Sequence, residues 1–433
     1  MKTGKEDHVV QPKFSRAKIA CYLGSVTMSA VSNLSPILFI TFHEIYGISY
    51  TLLGLLAVFC FGVQLGIDLI FSFFAKHFDI HKTVRLTPAF AVVGFIVYAA
   101  MPPLFPDFAY LWLVIGTLLF SVAAGLCEVL LSPVIAAIPA ENPEHEMAKL
   151  HSAYAWGTVA VVIVSTLLLK LFTPARWYLV AGLLALIPLI DFVLFSRAEL
   201  PPVPVNAAGG KRGIPKGLGL CVCFIIICGV SELTMNQWCS SFLERAVGLP
   251  KALGDIFGLA LFAALMGTGR TLYAKRGKNI YRTLYIGVLG AFFCYLVAAI
   301  SPLPIISLAA CVLTGLFVAM LWPGTLIFME EKYPNPGVVA FALMAAGGDA
   351  GASLGPQMVG AVVDGFLANE WAQSLAVRLS LTPEQLGMKA AMLIAALFPL
   401  IGILLLTYMK HFYAKREKNF RKFKKAVDKA QKK

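Results

Sequence analysis

"YLWLVIGTLLFSVAAGLCEVLLSPV", residues 110–134, runs through twenty-five positions with one charged side chain, Glu128. As a helix it would extend about 37 Å, enough to cross a hydrocarbon core of ~30 Å. Working outward, comparable apolar runs fill most of the chain, approximately at 17–42, 50–74, 86–105, 110–138, 148–171, 177–195, 216–243, 252–273, 280–300, 303–329, 338–359 and 386–412. A composition of 59% hydrophobic and only 14% charged residues over 433 positions leaves too little polar surface for a soluble protein of this size. The reading is an all-α polytopic membrane protein with twelve transmembrane helices.

An even number of spans puts both termini on one side. Of the 36 Lys and Arg, the opposite side holds only Lys170, Arg176, Arg245, Lys251, Arg378 and Lys389. The positive-inside rule therefore predicts cytoplasmic termini and a multi-pass protein of the plasma (inner) membrane. The net charge of +13 follows from this topology and gives no reason to expect nucleic acid as a partner. Residues 1–16 form a polar cytoplasmic N-terminus with no small-residue cleavage site, so no cleaved signal peptide is expected. The basic tail, 413–433, is suited to anionic lipid. Nine cysteines, mostly inside spans and without CxxC or His/Cys spacing, predict neither a disulfide framework nor a metal site.

The Pro- and Gly-rich stretch "SRAELPPVPVNAAGGKRGIPKG" (196–217) separates six spans from six. It divides the chain into an N-terminal six-helix bundle (17–195), a cytoplasmic linker (196–215) and a C-terminal six-helix bundle (216–412). The halves echo each other. Gly125 precedes Pro133 by eight positions, and Gly315 precedes Pro323 by eight; "FAKHFDIHKTVR" after the second span echoes "YAKRGKNIYRTL" after the eighth at an offset of 199. Parallel six-span repeats mark a two-bundle secondary transporter whose site lies between the halves near the midplane.

Four stretches, "GLCEVLLSP", "GVSELTMNQWCSSFLE", "GLFVAMLWPGTLIF" and "AAGGDAGASLGPQMVGAVVDGF", resemble the major facilitator superfamily and, within it, the fucose:proton symporter branch. The resemblance implies the major facilitator fold and sugar–proton symport. It carries the branch's proton-coupling glutamate of the fourth span onto Glu128, five residues before Pro133, with Ser132 where the branch has Asn. The branch's acid in the first span is replaced by Ser32, four residues before Pro36. The superfamily's loop signature after the second span is altered, with Ser72 for its first Gly, Lys76 for its Asp and Asp79 for its second Gly.

A carboxylate at the bilayer centre costs about 2.5 to 3.5 kcal/mol on insertion scales, so such groups normally face a cavity or a partner. Glu128, Glu232, Asp68 and Asp349 lie well inside spans. Glu128 is the candidate for proton coupling; the structural alternative is a bond across to Ser29, Ser32 or Asn33. Asp68 shares a helix face with Gln64 and fits a second titrating site, a sodium site with Gln64, or an ion pair with Lys76 or Lys82. Glu232 and Asn236 are four apart with Trp238 close behind, a carboxylate, an amide and an indole suited to sugar hydroxyls and C–H faces, and Trp322 adds another ring; packing is the alternative for both tryptophans. "AAGGDAGASLG" predicts a sliding interface between the halves, with Asp349 either lining the cavity or satisfying freed backbone. His151, in "LHSAYAWG", reads as interfacial.

No phosphate-binding Gly loop, Ser/His/Asp arrangement or metal spacing is present, so an enzyme, a cofactor and ATP drive are not expected. The substrate-binding candidates are Asn33, Glu232, Asn236, Trp238, Trp322, Asp349 and Gln64, and the coupling candidates are Glu128 and Asp68. The function expected is proton-coupled symport of a small polar solute such as a monosaccharide, by a monomer, with protons or sodium as coupling ion. The alternatives are a proton-antiport exporter of drugs or other amphiphiles and a non-transporting membrane sensor.

Overall fold

The computed structural model describes residues 14–74, 77–140, 143–203, 217–333 and 338–431. Twelve helical spans follow one another: α1 (Ser15–Tyr46), α2 (Tyr50–Phe74), α3 (Ile80–Leu104), α4 (Ala109–Ala137), α5 (Pro143–Phe172) and α6 (Pro174–Arg197), then α7 (Leu218–Arg245), α8 (Lys251–Tyr273), α9 (Ile280–Ile300), α10 (Pro304–Lys332), α11 (Val338–Ala368) and α12 (Pro383–Gln431). Among the described residues, eleven of them are long and apolar enough to cross a bilayer. α11 carries Asp349, Gln357 and Asp364 among its glycines. Leu, Ile and Phe side chains such as Leu104, Leu171, Ile300 and Leu404 are exposed on the outer faces, where lipid removes the need to bury them. The tail starts as an unbroken continuation of α12; its side chains beyond 416 lie outside the described residues.

The internal echo is structural, and its register is 200 rather than 199. Asp79 caps α3 by accepting from Lys82 N at 3.1 Å, and Asn279 caps α9 by accepting from Arg282 N at 2.9 Å. Thr83 and Thr283 then donate their hydroxyls back to the carbonyls of the two capping residues, at 2.9 and 3.1 Å. The paired glycines also correspond. A Cβ on Gly125 would stand 3.1 Å from Gln64 Cα of α2, and one on Gly315 would stand 2.2 Å from Phe262 O of α8, so each glycine lets the fourth helix of its half reach the second.

The start of α1 and the end of α12 lie on one face, called here the terminal face; the hydrogen bonds between the halves gather toward the other, distal face. At the start of α2, the N–H groups of Tyr50 and Thr51 donate to the Asp364 carboxylate of α11 at 3.1 and 2.7 Å. The first turn of a helix leaves N–H groups unpaired and carries positive dipole charge, so one half supplies the cap for a helix of the other. Tyr50 OH also donates to Glu384 of α12, Arg245 pairs with Glu44, and Lys251 Nζ donates to Ile37 O at 2.6 Å. Thr166 of α5 donates to Asp255 at 2.9 Å within a π-helical turn, Gly254–Ala260, that opens α8. Among the described residues, the bond nearest the midplane that joins the halves runs from Gln237 to Ser32 O, at 3.1 Å.

The glycine-rich stretch of α11 meets two neighbours, and Ala352 within it packs against Ala57 and Phe61 of α2, across the halves as expected. A Cβ on Gly347, Gly351 or Gly355 would stand within 3 Å of Ile225, Ile226 O or the Thr234 hydroxyl of α7, so these glycines close the C-terminal half on itself. Contact between the halves continues further along α11, where a Cβ on Gly360 would stand 2.1 Å from Tyr50 O and a Cβ on Gly54 of α2 would stand 2.9 Å from Gln357 Cα. Small-residue spacing marks a close helix neighbour without saying which neighbour, and here it serves α7 on one face and α2 on another.

Two consequences can be measured. Gly360→Ala places a methyl against fixed backbone and is expected to lower stability by about 1 to 3 kcal/mol and to loosen the distal seal, read as a lower unfolding temperature in detergent. On the terminal side, Glu146 accepts from Tyr22 OH at 2.8 Å and pairs with Lys149 and Lys18 at 3.1 and 3.2 Å, which holds its carboxyl down at about 2. A depressed carboxyl contributes stability that is complete above the unfolded value and lost as pH falls toward the folded one. The tie between α1 and α5 should therefore weaken from about pH 4.5 toward 2, and Glu146→Gln should flatten that part of the acid-unfolding profile.

Candidate functional site

Prolines set the polar geometry at the midplane. A proline inside a helix has no N–H for the carbonyl four residues earlier. In α1, Pro36 frees Ser32 O, and Gln237 of α7 fills it from the other half. In α10, Pro323 frees Ala319 O, the helix breaks after Val318 and restarts at Leu321, and Arg270 Nε of α8 donates to Ala319 O at 3.0 Å. The guanidinium so anchored reaches Glu232 of α7 with Nη2 at 3.2 Å from Oε1. Next to the Ser32–Gln237 bond, a small cavity lined by Ser32, Ser35, Leu56, Cys60, Phe61 and Gln237 has a volume of about 10 Å³, room for about one water molecule.

Toward the terminal face the site is lined by carboxyl groups. Glu128 of α4 is exposed, although it lies midway along an apolar helix, and it is within electrostatic range of Asp68 of α2, Asp349 of α11 and Tyr154 of α5. Because Asp349 belongs to the other half, that exposure opens into the cleft between the halves. Asp68 and Asp349 are only 5% and 3% exposed, and each has one carboxylate oxygen with no hydrogen-bond partner among the described residues. Gln64 sits one turn from Asp68 and donates to Cys60 O at 3.2 Å. Lys82 pairs instead with Asp79, at 3.5 Å, while Lys76 lies outside the described residues.

The alternative of Glu128 bonded to α1 is not what the structure has. The Ser29 hydroxyl donates to Tyr154 O at 2.7 Å, Asn33 donates to Ser29 O at 2.8 Å, and Ser32 lies close to the Tyr154 phenol. Asn33 is buried, and its Oδ1 has no partner among the described residues.

On α7, Glu232 and Asn236 are both nearly buried, and Glu232 Oε2 has no partner among the described residues. Trp238 is removed from the cavity wall. Its ring is fully buried, 5.1 Å from Phe39 and 6.0 Å from Tyr50, and its N–H donates to Pro356 O at 2.9 Å. Spacing along the helix brought it close to Glu232 in sequence, but six residues turn it to another face and carry it about 9 Å toward the seal. Trp322 is half-buried against Gly348 and clusters with Phe61 and Leu233 where the halves meet.

In the sequence Arg270 stands beside the basic run that ends "GTGRTLYAKR"; its distance from Lys275 and Arg276, more than a helical turn, is the signal that sets it apart. Tyr154 was legible as a residue of α5 but not as the phenol that meets Ser32. Two further acids are buried inside spans. Asp255 is bonded at the seal, and Asp191 of α6 packs near Gly24 and Leu131 with neither carboxylate oxygen paired among the described residues.

The Major Facilitator Superfamily matches residues 20–356. No curated protein matches the chain. Among solved structures, a bacterial homologue of the human lysosomal transporter Spinster, in an inward-facing and occupied conformation, superposes with a TM-score of 0.70 at 13% identity over 94% of this chain and 98% of that one. A D-xylose–proton symporter gives 0.69 at 14% identity over 89% and 96%. The nucleoside transporter NupG gives 0.66 at 14% identity over 91% and 98%. At such identities the likeness concerns the fold.

The proline-freed carbonyl can be tested directly. Gln237→Ala is expected to cost about 1 kcal/mol by unpairing Ser32 O. In a Pro36→Ala background, residue 36 regains the N–H that pairs Ser32 O, so the same change should cost markedly less; thermal unfolding of the four proteins gives the coupling.

Proposed function

Since the chain belongs to the Major Facilitator Superfamily, we propose that it is a proton-coupled symporter of a small polar solute, a monosaccharide being the class its sequence most resembles. The secondary transporter is the firm part, common to the superfamily and to the sugar, nucleoside and Spinster-type transporters that share the fold. The two halves rock about the midplane, so that the cleft opens alternately to each face. The observation that carries proton coupling is the carboxylate of Glu128, open to the cleft and within electrostatic range of Asp68 and Asp349.

Such a group gains and loses its proton from whichever face the cleft meets. Two like charges close by favour keeping a proton in the set, and a solute that adds hydrogen bonds there changes which facing is favoured. Asp68 stands as the second acid of the set, where the symporter branch would use a first-span acid and this chain has Ser32. Glu232, Asn236 and Trp322 remain the proposed solute contacts, with Tyr154 added from α5. If the positive-inside rule holds, the terminal face is cytoplasmic, the tail meets anionic lipid, and the state described is open to the cytoplasm and sealed outside.

The test is uptake of labelled monosaccharides into proteoliposomes under an imposed pH gradient. Native protein should accumulate a sugar, and Glu128→Gln should exchange it at equilibrium while accumulation falls at least tenfold. Failure of any sugar to accumulate, with saturable efflux of a cationic amphiphile in its place, would support the exporter reading instead.

A further inference from the structure

Within the transporter reading, on which this step rests, the chemistry of Arg270 narrows the solute. The guanidinium is about a third exposed, at 35%, whereas the carboxylate it pairs with is 9% exposed. Its position is fixed by the carbonyl that Pro323 frees, so the charge is held at the cleft whatever occupies the site. Its pairing is incomplete on both sides. Glu232 offers one oxygen to one nitrogen, its Oε2 is buried without a partner, and among the described residues nothing bonds Arg270 Nη1. A guanidinium fork binds a carboxylate best through two parallel bonds, which a mobile anion can adopt and a helix-bound Glu232 here does not.

We infer that the solute is an organic acid whose carboxylate binds Arg270 in exchange for Glu232, and that Glu232 takes up one proton when displaced. The balance is electroneutral. Arg270 and Glu232 begin as an ion pair; a proton and a monoanion enter, and the site ends as an ion pair of Arg270 with the solute beside a neutral Glu232 carboxyl. The proton is required because a carboxylate left at that burial without its cation costs several kcal/mol, more than a neutral carboxyl does.

The charged and titratable groups around the exchange come from every neighbouring element. Tyr154 of α5 lies in range of both Arg270 and Glu232, His151 of α5 in range of Arg270, and Cys228 of α7 in range of Glu232. Glu128 of α4, with Asp68 of α2 and Asp349 of α11 in range of it, completes the set along the wall of the cleft. That wall is acidic, so hydroxyl groups on the acid would face carboxyls while its carboxylate faces Arg270. Sugar acids and hydroxy acids have this shape.

Binding separates this inference from the coupling reading. The purified full-length protein in detergent is heated with glucuronate, galacturonate or lactate, and with glucose or galactose, at pH 5.5, 6.5 and 7.5, and apparent affinity is taken from the rise in unfolding temperature. The acids should stabilise and the neutral sugars should not. Affinity should fall by about tenfold per pH unit across the range in which Glu232 is ionised, as one linked proton requires. Glu232→Gln should bind the acids with no pH slope, and Arg270→Gln should lose them; Arg270→Lys should bind more weakly if Arg270→Gln does not fold.

The inference is overturned if neutral sugars stabilise and the acids do not, if no acid stabilises at any pH, or if Arg270→Gln binds acids as the native protein does. It is overturned equally if the pH slope survives Glu232→Gln and vanishes in His151→Gln. A sugar that accumulates under a pH gradient without acid binding would remove this inference and leave proton-coupled transport standing. Acid binding of the predicted pattern without gradient-driven accumulation would do the reverse.

Discussion

Ser32 and Ala319 each lose a helical hydrogen bond because a proline stands four residues later, and inside a bilayer no bulk water replaces it. A buried peptide carbonyl left unpaired costs a few kcal/mol, so a side chain from a neighbouring helix must reach each one. Gln237 reaches the first across the halves, and Arg270 reaches the second within one half. The rest of the site is arranged around these two side chains. Gln237 fixes where the halves meet at the midplane, and Arg270 fixes where a positive charge faces the cleft. Glu232, Tyr154 and His151 are then placed relative to Arg270.

The same need to satisfy groups without water explains the charges at the two ends of the cleft. At the seal, Asp364, Arg245, Lys251 and Asp255 are paired with residues across the interface or within it. On the open side, Glu128 is reached by solvent while Asp68 and Asp349 keep an unpaired oxygen each. One set of charges is neutralised by protein, and the other is left to be neutralised by what enters. That contrast distinguishes groups that hold a conformation from groups available for transport chemistry.

Much of the fold was legible in the sequence because membrane helices announce themselves by length and composition. The Gly–Pro repeat was legible too, since Gly125 and Gly315 do equivalent work in their halves. Partner choice was not. Periodicity places Glu232 and Asn236 on one helix face but does not say that Trp238 turns toward Pro356 O, nor that Gly347 and Gly351 press on α7 instead of on the opposing half. Arg270 was hidden by its nearness to a basic loop, and Asp191 by the apolar run around it. Both needed three-dimensional neighbours before their burial or exposure meant anything.

The carboxylate of Asp364 capping α2 carries a further consequence. When the halves separate at that face, the first N–H groups of α2 and the Asp364 oxygens both come to face bulk solvent, and water takes up the bonds that each loses. A protein–protein hydrogen bond exchanged for hydration changes the free energy by only about 0.5 to 1.5 kcal/mol. The Gln237–Ser32 bond lies deeper, and hydration there is limited to the roughly one water that the cavity beside it can hold. The barrier to rocking is thus graded with depth: the outermost contacts unfasten cheaply, and the contact nearest the midplane is the one whose rupture the bound cargo must compensate.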